Sequence, residues 1–139
     1  MSQLVKDVMT PDPITIDAKA PIAEAAQKMR EADVGPLIVM KDGEVCGVVT
    51  DRDITIRAVA EGKDPNSFPV GEICSKEVAT VSPRDKVGMA IDLMEKIAVR
   101  RLPVVDNHQP VGILSLGDLA VERDPESTLA QISAAPPNE

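Results

Sequence analysis

The stretch GVVTDRD, from Gly47 to Asp53, recurs as GILSLGD, from Gly112 to Asp118. Each copy contains a glycine, two apolar residues, a hydroxyl residue and an aspartate in the same register. When the chain is moved along itself by the 65 positions that separate the two glycines, residues 5–55 align without a gap. Such self-similarity at a fixed period predicts two copies of one structural unit. Nine aligned positions are identical, namely Val5, Thr15, Ala25, Met29, Val34, Leu37, Val39, Gly47 and Asp53.

Turn signals and apolar periodicity predict the order β-α-β-β-α within each copy. The predicted elements are a strand at Ile14–Ile16, a helix opened by Pro21, strands at Leu37–Met40 and Val45–Thr50 joined by a turn at Asp42-Gly43, and a helix from about Asp51 to Ala60. The apolar face of the first helix is predicted to consist of Ile22, Ala25, Ala26, Met29 and Ala32. A three-stranded sheet with two helices on one side leaves its other face open. We therefore expect the two copies to pack sheet against sheet.

This pattern places the protein in the α/β (α+β) class. Repeat 1 is predicted at residues 4–62, a connector at 63–69 and repeat 2 at residues 70–122. Residues 123–139 are predicted to hold a short helix around Glu126–Ile132 and a frayed tail.

The bulk composition excludes several classes of function. A formal net charge of −8 argues against sequence-independent binding of nucleic acid and against docking on an anionic membrane. The first ten residues lack the basic and apolar regions of a signal peptide, and no apolar run is long enough to span a bilayer. Cys46 and Cys74 are too few for a disulfide framework. We expect a reduced protein of the cytoplasm.

The sequence contains no recognisable catalytic constellation. His108 is the only histidine, and it lies in a predicted turn, where a solvated side chain is expected. There is no CxxC pair or histidine cluster for zinc, and neither a Walker loop nor a GxGxxG motif. We therefore expect no enzyme activity, no metal and no resident cofactor.

A hydroxyl residue and a carboxylate recur three residues apart, as Thr50 with Asp53 and as Ser115 with Asp118. One interpretation is capping of the following helix, in which the hydroxyl accepts a backbone N–H and the acid suits the helix dipole. The other is ligand binding, in which the carboxylate accepts both hydroxyls of a ribose and the helix N-terminus holds a phosphate. The two interpretations are compatible, and both stay open at this point.

Two arginines break the symmetry between the repeats. Arg100 and Arg101 precede the predicted strand Leu102–Val105, whereas their equivalents Gly35 and Pro36 carry no charge. One interpretation is a surface pair with one arginine bound to an acidic neighbour. The other is an anion site that faces a cleft and holds a phosphate.

These residues together resemble the CBS domain, named after cystathionine β-synthase. The resemblance rests on the G-h-h-[ST]-x-x-D pattern that closes each repeat, where h is apolar. It rests also on the segment VKDVMT at Val5–Thr10 and on RRLPVVD at Arg100–Asp106. It covers about residues 4–122. The stretch TDRDI at Thr50–Ile54 is similar to small bacterial CBS-pair proteins, including the hypoxia-response type of actinobacteria.

The resemblance implies a module with pseudo-twofold symmetry that dimerises into a flat disc and binds AMP, ADP, ATP or S-adenosylmethionine in two clefts between the repeats. Carried over by position, the first cleft uses Thr10, Ile14, Val34, Arg101, Ser115 and Asp118, and the second uses Ser75, Ala79, Val99, Thr50 and Asp53. In the second cleft, Gly35 and Pro36 occupy the positions equivalent to the two arginines, which puts tight phosphate binding there in doubt. The implied partners are an adenine nucleotide or another adenosyl compound, a second copy of the chain and an unidentified target protein.

Two rival functions remain at this stage. In the first, the module docks on a target protein and its clefts are structural and empty. In the second, Cys46 and Cys74 sense a metal or a redox change; this is disfavoured because their repeat equivalents are Val111 and Met9.

Overall fold

The computed structural model describes residues 3–75 and 79–123. The predicted helix around Glu126–Ile132 and the predicted tail lie outside these residues. The chain divides into two compact units. Unit 1 contains residues 3–12 and 79–123 of the described chain, and unit 2 contains residues 13–75.

The predicted order β-α-β-β-α is found in repeat 1, after a short helix and a short strand that were not predicted. The helices are α1 (Val5–Val8), α2 (Ile22–Ala32), α3 (Asp51–Asp53, continued as a π-helix over Ile54–Val59), α4 (Val87–Ile97) and α5 (Leu116–Arg123), with a 3₁₀ turn at Val70–Glu72. The strands are β1 (Thr10–Pro11), β2 (Thr15–Asp17), β3 (Pro36–Lys41), β4 (Glu44–Thr50), β5 (Arg101–Asp106) and β6 (Gln109–Ser115). The α+β class is confirmed. Most ends of the predicted strands lie one residue away from the observed ends.

Unit 2 is built on a three-stranded sheet with the order β2-β3-β4. β2 runs parallel to β3, and β3 runs antiparallel to β4. The hairpin between β3 and β4 turns at Asp42 and Gly43, whose φ values of 53° and 79° are those of the predicted tight turn. A further bridge joins Val48 of β4 to Ser75.

Unit 1 has a three-stranded sheet with the order β1-β6-β5. β1 pairs antiparallel with β6, so that Thr10 lies opposite Ile113. The repeat equivalent of β2 is reduced to a single parallel bridge between Val81 and Val104. The expected first strand of repeat 2 is therefore one residue pair long.

The two units exchange the leading segments of the repeats. We call residues 3–12 the leading segment of repeat 1 and residues 70–75 the leading segment of repeat 2. The first lies in unit 1 with the body of repeat 2, and the second lies in unit 2 with the body of repeat 1. The sequence repeats and the spatial units are thus different sets of residues.

A glycine in each repeat makes room for the exchanged segment. A Cβ atom at Gly47 would overlap the carbonyl oxygen of Ser75, and one at Gly112 would lie 2.9 Å from the carbonyl oxygen of Thr10. Both separations are shorter than real Cβ contacts. The glycine that opens the repeated motif is therefore required by the close approach of the leading segment.

Each unit has its own apolar core, built from the sheet and one face of its first long helix. In α2, Ile22, Ala25 and Met29 are buried, whereas Ala26 and Ala32 of the predicted apolar face are exposed. The buried core of unit 2 is completed by Ile16, Ala18, Leu37, Val39, Val49, Ala58, Val70, Ile73 and Cys74. The buried core of unit 1 consists of Val5, Val81, Val87, Ala90, Met94, Leu102, Val104, Leu114 and Leu119.

Candidate functional site

A capping box closes the end of β4 in unit 2. The backbone N–H of Asp53 donates to Oγ1 of Thr50 at 3.2 Å, and the backbone N–H of Thr50 donates to Oδ2 of Asp53 at 2.9 Å. The two residues satisfy donors that the first turn of a helix leaves open. The capping interpretation of this pair is therefore confirmed.

Unit 1 repeats the arrangement at the end of β6. The backbone N–H of Asp118 donates to Oγ of Ser115, and the backbone N–H of Ser115 donates to Oδ2 of Asp118, each at 3.0 Å. Capping uses Oδ2 of the carboxylate and leaves Oδ1 available to another donor. The capping role therefore leaves the ligand-binding role open.

Thr10 brings the leading segment of repeat 1 onto this carboxylate. Its Oγ1 hydroxyl lies 3.2 Å from Oδ1 and 3.3 Å from Oδ2 of Asp118. Three of the residues predicted for the first cleft, Thr10, Ser115 and Asp118, thus form one cluster within unit 1. Asp118 is half-buried and Thr10 is exposed.

Arg101 is the fourth member of this cluster. It is the first residue of β5 and lies directly opposite Ser115 in the β5–β6 ladder. Residues directly opposite each other point to the same face of the sheet, with Cβ atoms about 4.5–5.5 Å apart. We call Thr10, Arg101, Ser115 and Asp118 the half-site of unit 1.

Arg101 is exposed. Neither Arg101 nor Arg100 forms an ion pair with any acidic side chain that the structure describes. The interpretation of one arginine bound to an acidic neighbour finds no support among those residues.

The equivalent cluster in unit 2 is organised by a residue that was not predicted. Arg57, on the π-helical part of α3, has its Nε 3.8 Å from Oδ1 of Asp53, and its Nη1 donates to the carbonyl oxygen of Ile73 at 3.1 Å. Among the described residues no hydrogen bond joins Ser75 to Asp53. The spacing of Asp53 and Arg57 by four residues in a predicted helix was the signal that could have indicated this pair. We call Thr50, Asp53, Arg57 and Ser75 the half-site of unit 2.

The remaining predicted site residues lie in the other unit in each case. Ile14 and Val34, predicted for the first cleft, pack against the core of unit 2. Ala79 and Val99, predicted for the second cleft, pack against the core of unit 1. Their roles stay predictions.

Unit 1 also contains an apolar cavity of about 290 Å³ between α4 and α5. Its lining consists of Ile91, Met94, Glu95, Val99, Leu116, Leu119 and Ala120. Because Glu95 is the only charged residue in this lining, the cavity offers little to orient a polar ligand.

Among the described residues, an ion pair between Arg84 and Asp106 lies outside the half-sites. Arg84 donates to Oδ1 of Asp106 at 2.9 Å on the surface of unit 1, and this carboxylate raises the pKa of Arg84 above its ordinary value.

The part of the chain that the structure describes contains no group of three or more potential metal ligands. Within that same part, every helix is too short or too polar to cross a membrane. His108 lies in the turn between β5 and β6, as predicted.

Comparison with known proteins gives a consistent family. The family model described as "CBS domain" matches twice, at residues 5–59 and 70–123. The CBS domain-containing protein YhcV of Bacillus subtilis is 41% identical over 119 residues, which cover 86% of this chain and 84% of that protein. Hypoxic response protein 1 of Mycobacterium tuberculosis is 34% identical over 131 residues, which cover 94% of this chain and 91% of that protein.

Solved structures agree with the fold. A crystal structure of Hypoxic Response Protein I with two coordinated zinc ions is similar at a TM-score of 0.75, with 33% identity over 86% of this chain and 98% of that one. A CBS domain pair in complex with 5′-methylthioadenosine and S-adenosyl-L-methionine is similar at a TM-score of 0.79, with 27% identity over 91% of this chain and 100% of that one. The resemblance that the sequence predicted is confirmed.

Proposed function

The chain belongs to the CBS domain family as a tandem pair and is a regulatory module, and we propose that this module senses an adenosine-type nucleotide. The proposed ligand class is AMP, ADP, ATP or a related adenosyl compound such as S-adenosylmethionine. A similar CBS pair was solved with two adenosyl compounds, which supports this class. We assign the chain no catalytic role.

The observation that carries the proposal is the carboxylate of Asp118. Its backbone anchor through Ser115 fixes the carboxylate at the start of α5, while Oδ1 accepts only the hydroxyl of Thr10 among the described residues. A ribose diol offers two hydroxyl donors of the same kind. A diol can therefore replace the Thr10 hydroxyl, and a carboxylate acceptor makes such hydrogen bonds strong.

Arg101 provides the second part of the proposed recognition. Arg101 is an exposed residue, and its side chain starts on the same sheet face as Ser115. An arginine that forms no ion pair with a described acidic residue and lies beside a helix N-terminus suits a phosphate group. We therefore assign the ribose to Asp118 and the phosphate of the nucleotide to Arg101.

Isothermal titration calorimetry with adenosine, AMP, ATP and S-adenosylmethionine tests the proposal. Asp118→Asn keeps an oxygen that can accept the Ser115 N–H and so keeps the cap, but it removes the charge. We expect the dissociation constant for AMP to rise about tenfold or more. Asp53→Asn is the matched control in the other half-site and leaves the tightest binding step unchanged.

Arg101→Ala distinguishes recognition of the phosphate from recognition of the nucleoside. We expect the variant to weaken the binding of AMP and ATP by about tenfold and to leave the binding of adenosine unchanged. Arg100→Ala removes a charge one residue earlier and serves as its control. If no adenosyl compound binds the unmodified protein, the sensor proposal fails, and a module that docks on a target protein with empty clefts takes its place.

Homodimerisation, the cytoplasm as compartment and an unidentified target protein belong to the same proposal. A similar CBS-containing protein is described as hexameric, which supports self-association in general. Multi-angle light scattering at several protein concentrations tests the dimer, and a monomer at all of them overturns it.

A further inference from the structure

The carboxylates of Asp118 and Asp53 are bound alike through one oxygen and differently through the other. In both, Oδ2 accepts the backbone N–H of the capping residue three positions earlier. In unit 1 the free oxygen Oδ1 lies 3.2 Å from the neutral hydroxyl of Thr10. In unit 2 the free oxygen lies 3.8 Å from the cationic Nε of Arg57.

Arg57 is held at this position from both sides. Its Nη1 donates to the carbonyl oxygen of Ile73, which belongs to the leading segment of repeat 2. The guanidinium therefore bridges the exchanged segment and the carboxylate. In unit 1 the exchanged segment reaches the carboxylate through the Thr10 hydroxyl instead. The repeat equivalent of Arg57 is Glu122, so the cation is specific to the first repeat.

We infer that Arg57 is a specificity-determining residue that makes the half-site of unit 2 the weaker acceptor for a vicinal diol. This inference rests on the proposed function, because it concerns which carboxylate receives the ribose. A diol that approaches Asp118 exchanges one neutral hydroxyl for another. A diol that approaches Asp53 competes with a cation for the free oxygen, and the two repeats therefore bind the same ligand unequally.

The size of this effect follows from exposure. The side chain of Arg57 is 51% exposed and that of Asp53 is 13% exposed. An ion pair of this kind is screened by solvent and contributes modestly, so removing the cation is expected to strengthen diol binding at Asp53 by about two- to fivefold.

The experiment isolates the second half-site in an Asp118→Asn background. Adenosine is the probe, because it carries the diol and no phosphate. We expect Asp118→Asn/Arg57→Met to bind adenosine about two- to fivefold more tightly than Asp118→Asn alone. Asp118→Asn/Arg52→Met is the matched control, since it removes the same charge from an exposed neighbour that has no ion pair with a described acid, and it leaves the affinity unchanged.

A second ligand excludes a purely structural explanation. 2′-Deoxyadenosine lacks one of the two hydroxyls, so removal of the Arg57 charge is expected to strengthen its binding less than that of adenosine. Asp118→Asn/Arg57→Lys keeps the charge and is expected to stay a weak acceptor. Asp118→Asn/Arg57→Gln removes the charge with a polar side chain and gives the same test if the methionine variant fails to fold.

Two results overturn the inference. One is equal adenosine affinity with and without the Arg57 substitution. The other is a loss of AMP binding on Arg57→Met with adenosine unchanged, which makes Arg57 a phosphate-binding group. Absence of nucleotide binding by the unmodified protein instead defeats the proposed function, and a gain of adenosine binding in the Arg57→Met variant then still supports the inference.

Discussion

The hydroxyl of Thr10 lies within 3.3 Å of both carboxylate oxygens of Asp118, a residue 108 positions further along the chain. This contact joins β1, which comes from the first repeat, to the helix that closes the second. It is a side-chain link in addition to the β1–β6 ladder. The same carboxylate thus caps α5 and holds the exchanged segment.

Thr10→Val tests how much this link contributes to stability. The substitution keeps the branched shape and removes the hydroxyl, so we expect a loss of about 0.5–1.5 kcal/mol in the free energy of unfolding. Urea denaturation followed by far-UV circular dichroism measures it. Thr10→Ser, which has the residue found at the equivalent position 75, is expected to keep most of the stability. A valine variant as stable as the unmodified protein would contradict the prediction.

Gly47→Ala and Gly112→Ala test the close approach of the leading segments. A methyl group at either position must displace backbone or the neighbouring side chains, and overpacking of this kind costs about 1–3 kcal/mol. Thermal unfolding of the two variants gives the comparison. Unchanged melting temperatures for both would show that the leading segments can move away without cost.

Gly88→Ala is the matched control for the glycine variants. Gly88 lies inside α4, and a Cβ atom there meets no other described residue within 4 Å outside the helix backbone and the chain neighbours. Because alanine is the better helix former, the variant is expected to gain up to about 1 kcal/mol of stability. The same alanine substitution thus has opposite signs at positions of different surroundings.

Ala98→Gly should also stabilise the protein. Ala98 ends α4 with a φ of 55°, in the left-handed region that glycine adopts without steric cost. The expected gain is about 0.5–1 kcal/mol, measured by chemical denaturation. Asp33 ends α2 at the equivalent position with the same φ of 55°. Because aspartate tolerates this region better than alanine, Asp33→Gly is expected to gain less.

Absorption spectroscopy offers a test of bound nucleotide that needs no added ligand. The chain has no tryptophan or tyrosine, and Phe68 is its single aromatic residue of the Phe, Trp and Tyr class. A nucleobase band in purified protein free of nucleic acid therefore reports a co-purified ligand. We expect the band in the unmodified protein and its reduction in Asp118→Asn. A band of equal strength in both would place the ligand elsewhere.

The sequence predicted most of the helices and strands but not α1, β1 or the exchange of segments. The Asp42-Gly43 turn and the helical spacing of Ile22, Ala25 and Met29 are local signals, and the structure follows them. The pairing of Thr10 with Ile113 is non-local. The sequence of a two-residue strand does not indicate which sheet the strand will join, because strand pairing depends on packing in the folded chain.

The candidate site shows the same division. The capping pairs were predictable, because a hydroxyl and an acid three residues apart are a local motif. The Asp53–Arg57 pair was also signalled locally, by its spacing of four residues. The contacts of Thr10 with Asp118 and of Arg57 with Ile73 had no local signal, since they depend on where the exchange places Thr10 and Ile73. Ala26 and Ala32 were wrongly predicted to be buried because alanine fits both a core and a solvated helix face.

Because the leading segments are exchanged, the strands of the two units can pair at different times during synthesis. Unit 2 is a continuous stretch of chain, and its three strands can pair once Thr50 has been made. β1 of unit 1 needs β6, at Gln109–Ser115, before it has a partner. Long-range pairing of this kind is slow because the intervening loop must first be closed. On the ribosome, β1 is therefore expected to pair later than the strands of unit 2, although it is synthesised before them.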